Sequence, residues 1–221
     1  MNHIAPEYDC PLCPRLLAFH VANRKTYPDF YNGPVPSFGD KNAQLLIVGL
    51  APGLKGANRT GRPFTGDYAG LVLYSALKKH GLAEGEYVPE LVKNTEWEVV
   101  SSDGFRLKDC RVTNSVRCVP PDNKPEPQEI RNCRKFLSSE IYAMNNLKAI
   151  ISLGQIAHKA VIQVFDLKQS QYKFAHGAVH KLPALKLINS YHTSRYNINT
   201  GTLTQQMFDD IVLTAQEIIM N

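Results

Sequence analysis

The chain has 221 residues, 43% of them hydrophobic, and 25 Lys and Arg against 20 Asp and Glu give a formal net charge of +5. That length suits a single domain over residues 1–221 with a sizeable core, and no apolar run approaches the ~20 residues that cross a bilayer, so no membrane association is expected. The start MNHIAPEYDCPLC has no apolar stretch behind a basic one, so no secretory signal is read and a cytosolic, nucleoid-associated location is expected.

In chain order, the first feature is Cys10 and Cys13, a C-x-x-C in DCPLCPRL. Cys118 and Cys133 follow far downstream, at the two ends of CVPPDNKPEPQEIRNC. In a reducing compartment such thiols read as metal-binding or redox groups rather than as a disulfide. Four of them match the ligation that structural zinc and iron–sulfur clusters use. Cys110, inside an apolar run, reads as a small buried residue and is left out of the set.

Four apolar runs predict buried parallel strands: QLLIVGL at 44–50, CRVTNSV at 110–116, LKAIISL at 147–153 and LKLINSY at 185–191. Helical periodicity predicts helices over 67–81, 126–146, 154–165 and 202–220. In the first of these Leu71, Tyr74, Leu77 and Lys78 fall on one proposed stripe, with Gly81 as a C-cap. Residues 83–108 read as a polar insertion with an irregular hairpin and no assigned role. Alternating strands and helices predict a three-layer α/β/α fold around a central four-stranded, mainly parallel sheet. Ligands of such sheets bind beyond the carboxyl ends of the strands, so segments 50–67, 114–124 and 191–201 are expected to converge.

Those segments carry the chemistry. GLAPGLKGANRTGRPFTGD, residues 49–67, is Gly-rich but matches neither a Walker loop nor a dinucleotide fingerprint. Phe64 within it is either a flat stacking face or a plug folded under the loop. Asn114, in TNSVRCVPP, is either a turn residue or a carboxamide that reads an imide edge as donor and acceptor together. In YHTSRYNINTGTLT, His192 has the chemistry to donate to a developing anion, Arg195 to meet a phosphate and Tyr196 to stack or wedge.

On GLAPG at 49–53, GANRTGRPFTGD at 56–67, TNSVRCVPP at 113–121 and HTSRYNINTGTLT at 192–204, the chain resembles the family 5 (type b) uracil-DNA glycosylases. The likeness spans roughly residues 10–215. It implies an enzyme that flips uracil, and deaminated purines such as hypoxanthine, out of DNA and hydrolyses the N-glycosidic bond to leave an abasic site. By that resemblance Asp67 and His192 are catalytic, while Gly49, Ala51, Phe64 and Asn114 bind the base. Lys55, Arg59, Arg62, Arg195 and Tyr196 contact DNA, and Cys10, Cys13, Cys118 and Cys133 hold a 4Fe–4S cluster. The enzyme would act on DNA containing uracil or other deaminated bases, as a monomer. The related family 4 pattern is GEAPG. Leu50 replaces its acidic residue here, which moves attention to Asp67, a residue equally suited to cap the helix that follows.

Two other readings remain at this level. One is a thioredoxin-like dithiol enzyme, which would leave Cys118 and Cys133 idle. The other is a non-catalytic nucleic-acid-binding protein with a structural four-cysteine metal site.

Overall fold

The structure, a computed structural model, describes residues 4–88, 90, 92–95, 98–101 and 103–220. Its first half runs α1 (Pro14–Thr26), β1 (Phe38–Gly39), β2 (Leu45–Gly49), α2 (Ala57–Thr60), α3 (Tyr68–Lys79), β3 (Ala83–Glu84), β4 (Val92–Thr95), β5 (Glu98–Ser101) and β6 (Arg106–Leu107). Its second half runs β7 (Cys110–Asn114), α4 (Pro127–Ala143), β8 (Ala149–Leu153), α5 (Gln155–Val164), β9 (Val179–Lys181), β10 (Lys186–Ser190), α6 (Arg195–Asn199) and α7 (Gln205–Met220).

The four predicted strands lie side by side and parallel, in the order β7-β2-β8-β10. Every residue of β2, β7 and β8 is buried, which is why these runs are apolar throughout rather than alternating. Successive side chains point to opposite faces. Leu45 and Ile47 pack with Leu73, Leu77, Phe208 and Val212 of α3 and α7, whereas Leu46 and Val48 pack with Leu137, Ile141, Ala157 and Val161 of α4 and α5. Helices thus cover both faces, as the three-layer expectation requires. Each fully buried Leu or Ile contributes roughly 1.5–3 kcal/mol.

The sheet has six strands, not four. The additions, β1 beside β7 and β9 beside β10, are antiparallel and only two and three residues long. Such stubs are too short to leave a hydrophobic period, and short edge strands also limit edge-to-edge pairing. Three helices escaped the sequence reading: α1, α2 and α6. The first is poorly amphipathic by sequence, yet it starts with Pro14 in the first turn and buries Leu16, His20 and Asn23.

Helix α3 begins and ends as expected, with Asp67 as N-cap and Gly81 at φ 73° just beyond it. Its inner stripe differs. Leu73, Tyr74 and Leu77 are buried whereas Leu71 and Lys78 are exposed, because the buried face is centred on Ala69, Leu73, Ala76 and Leu77, with 71 and 78 at its edge. In segment 83–108, β3 pairs with β6 and β4 pairs with β5, both antiparallel. Positions 89, 91, 96, 97 and 102 of that segment lie outside the described residues. The segment is not simply polar, since Phe105 and Asp103 are buried and Tyr87 packs on the core. Among the described residues no helix is long and apolar enough to cross a membrane.

Candidate active site

The carboxyl ends of β2, β7 and β10 meet around one cavity of about 40 Å³, lined by Ala51, Gly53, Phe64, Asp67, Asn114 and His192. This is the convergence that the strand-end rule anticipates. Parallel register sets Gly49 directly opposite Asn114. A Cβ at position 49 would lie 2.5 Å from Asn114 Oδ1 and 2.6 Å from Phe64 Cζ. Gly49 therefore lets the Asn114 and Phe64 side chains close over the strand end.

Phe64 is 5% exposed yet faces this cavity, so it is both a plug and a wall. Its backbone has φ 51°, a conformation that an aromatic residue rarely adopts. Its ring lies 6.0 Å from the His192 ring at an interplanar angle of 29°. Asn114, at the last position of β7, is buried at 3% exposure.

His192 follows β10. Burial alone pushes its pKa down to about 4, so the ring is a neutral imidazole near pH 7. Its segment is pinned: the Asn197 side chain donates to the His192 carbonyl at 2.8 Å, and the Thr193 hydroxyl donates to the Ala69 carbonyl at 3.2 Å.

Asp67 fills the capping role that its sequence position allowed, and its carboxylate also lines the strand-end cavity. One carboxylate oxygen, Oδ1, accepts from the Gly70 amide at 3.1 Å and caps α3. The other, Oδ2, faces Gly53 and Gly56. The group is open to solvent on one side and crowded by protein on the rest. That crowding raises its pKa above the ordinary Asp value, against the opposing pull of the Gly70 and Ala69 amides.

Of the basic residues expected to meet DNA, Lys55 and Arg195 are exposed and Arg59 is half-buried. Tyr196 is 74% exposed on α6, and Arg195 lies 5.4 Å over the Tyr68 ring. Arg62 is a correction. At 1% exposure it forms a two-pronged pair with buried Asp103 (2.6 and 3.1 Å) and sits among Phe38, Tyr87 and Phe105. A guanidinium committed in that way is not presented to phosphate. No spacing signal connects position 62 with position 103.

The four cysteines outside the sheet also converge. Cys10 and Cys13 come from the turn before α1, Cys118 from the loop after β7 and Cys133 from α4. All four line one mostly apolar cavity with Leu16, Val116 and Phe136. Burial raises the Cys13 and Cys118 thiols and takes Cys133 up to about 11. The Arg117 amide donates to Cys133 Sγ at 3.4 Å. Among the described residues no His, Cys, Asp or Glu set is arranged to hold one metal ion. A tetrahedral ion with bonds near 2.3 Å draws its thiolates to about 3.8 Å apart, whereas a four-iron cube accepts a wider set. Cys110 is buried in β7, away from this cavity, as expected.

Ala51 joins the two sites, since it lines the strand-end cavity and packs against the thiol cluster. Sequence reasoning missed the buried network beneath that junction. Glu140 of α4 accepts from Arg117 at 2.8 Å, from Ser37 at 2.7 Å and from Arg111. Although burial opposes it, the Arg117 and Arg111 charges hold the Glu140 carboxyl well below the ordinary range.

Comparison with known proteins gives concordant results. The model of the family described as "Uracil DNA glycosylase superfamily" matches residues 36–216. A type-5 uracil-DNA glycosylase of Thermus thermophilus is 39% identical, covering 95% of this chain and 93% of its own. Another from Mycobacterium bovis is 38% identical, over 95% of this chain and 78% of its own. A third, from Pyrobaculum aerophilum, is 34% identical over 94% of this chain and 88% of its own.

Proposed function

For a chain that belongs to the uracil DNA glycosylase superfamily, and within it to the type-5 enzymes, we propose a repair glycosylase whose strand-end cavity excises uracil and accepts deaminated purines such as hypoxanthine. The enzyme hydrolyses the N-glycosidic bond. The observation that carries the site assignment is the meeting of Phe64, Asn114, Asp67 and a neutral His192 around one cavity.

The target nucleotide leaves the stack at a cost of a few kcal/mol and enters the pocket. Phe64 covers one face of the base and Asn114 reads its edge. As the glycosidic bond lengthens, negative charge grows on the departing base. A neutral imidazole N–H from His192 stabilises that charge, and one preorganised donor of this kind is worth about 3 kcal/mol. Its neutrality matters, because the ground-state base is uncharged and gains little from the same contact. The interaction therefore strengthens in the transition state.

Positive character develops on the sugar. Asp67 faces it as a carboxylate, stabilising the cation and orienting water. Leu50 leaves the acidic position of the family 4 pattern empty, so Asp67 is the nearby carboxylate on the cavity wall.

Cys10, Cys13, Cys118 and Cys133 would hold a 4Fe–4S cluster. The donor set fits: four thiols, an apolar wall and an N–H directed at Cys133 Sγ. When bound, such a cluster would supply four iron–thiolate bonds that tie the N-terminal turn to α4 and to the loop that follows Asn114. Lys55, Arg59 and Arg195 lie at the rim for DNA phosphates, with Tyr196 as a wedge into the gap left by the base.

Single-turnover excision on oligonucleotides carrying uracil, hypoxanthine or xanthine tests this reading. Wild-type protein should release uracil and hypoxanthine. His192→Ala and Asp67→Ala should each slow release far more than Leu50→Ala. Binding of DNA without release of any base would leave only a binding protein.

A further inference from the structure

Phe64 presents its ring from a backbone that is unfavourable for it. Left-handed conformations of bulky residues persist only where the surroundings over-determine them. Here two hydroxyls hold the turn. Tyr74 donates to the Pro63 carbonyl at 2.5 Å, and Tyr87 donates to the Phe64 carbonyl at 3.1 Å. Helix α3 closes the third side, since a Cβ at Gly70 would fall 1.7 Å from that same carbonyl oxygen.

Tyr74 belongs to the core helix α3, but Tyr87 comes from the 83–108 excursion. The excursion is fastened there by the buried pair already described. Asp103 accepts from Arg62 and also from the amides of Phe105 at 3.1 Å and Val88 at 3.4 Å. The Tyr87 ring is held between Tyr74 (4.8 Å) and Phe105 (5.5 Å).

We propose that Tyr87 is a positioning residue for base recognition, and that the 83–108 segment exists in part to bring its hydroxyl to the Phe64 carbonyl and fix the plane of the stacking ring. The inference rests on the glycosylase reading, in which Phe64 covers the flipped base. Stacking is present equally in the ground and transition states, so loosening it weakens binding rather than the chemical step. One neutral hydrogen bond corresponds to roughly a three- to tenfold effect.

The test is Tyr87→Phe, which removes only the hydroxyl, alone and combined with Phe64→Leu. In single-turnover uracil excision, Tyr87→Phe should raise the half-saturating protein concentration about three- to tenfold. The maximal rate should change less than about twofold, because uniform binding is what is lost. In the Phe64→Leu background the same substitution should have no further effect on binding, since no aromatic ring is left for the residue-64 carbonyl tether to orient. Amide exchange at residues 63–67 should speed up in Tyr87→Phe while exchange in α7 stays unchanged.

An equal rise in both backgrounds would show a general loss of stability and overturn the proposal. So would unchanged binding in Tyr87→Phe, or unchanged exchange at 63–67. If wild-type protein released no base, the glycosylase reading would fall by itself, and the exchange measurement would still decide the tether.

Discussion

At Asp67 the two oxygens of one side chain meet different surroundings. Oδ1 is occupied by the Gly70 amide, and Oδ2 is turned toward Gly53 and Gly56. Because crowding raises its pKa, it takes up a proton at higher pH than an ordinary Asp. The rate of excision should therefore fall on the acid side as pH drops through that raised value. His192 gains its proton near pH 4, but a charged imidazolium donates no less well to the leaving base. Asp67→Asn separates the two: the pH–rate profile should lose its acid limb and sit at a lower plateau. A limb that survives Asp67→Asn would assign it to another group.

Between elements, the decisive contact is the carboxylate of α4 that holds two arginines of the β7 region. Glu140, Arg111 and Arg117 are 1%, 7% and 3% exposed, so removal of the one anion leaves two buried cations without it. Glu140→Ala should lower unfolding free energy by about 3–5 kcal/mol, measured by urea denaturation. This network was not legible in the sequence, because Arg117 and Glu140 stand 23 residues apart with no shared motif. The central strands were legible, since residues buried on both faces leave unbroken apolar runs. The strand-end residues were legible for a related reason: topology places them together whatever the loops do. Arg62 was misread because an arginine in a Gly-rich loop looks alike from sequence whether it meets phosphate or an aspartate 41 residues on.

For the whole molecule, the charge that matters is the part left at the rim. A net +5 spread over the chain says little, but Lys55 and Arg195 remain solvent-facing, within three residues of cavity-lining Gly53, Ala57 and His192 in sequence. Binding to duplex DNA should weaken with salt, and Lys55→Ala and Arg195→Ala should each reduce the slope of log K against log salt by about 0.9. Arg62→Ala should leave that slope unchanged and lower stability instead, and a reduced slope in that variant would contradict its burial against Asp103. The thiol cavity has another consequence, one of timing. Arg15 grips Glu129 and the Asn132 side chain grips the Leu12 carbonyl, across 114 and 120 residues of chain. A translating ribosome makes the N-terminal turn long before α4, and until α4 emerges Cys10 and Cys13 have no wall to dock against. The earliest-made part of the cavity thus settles later than its place in the chain implies, because its loop closes only after more than half the chain has been synthesised.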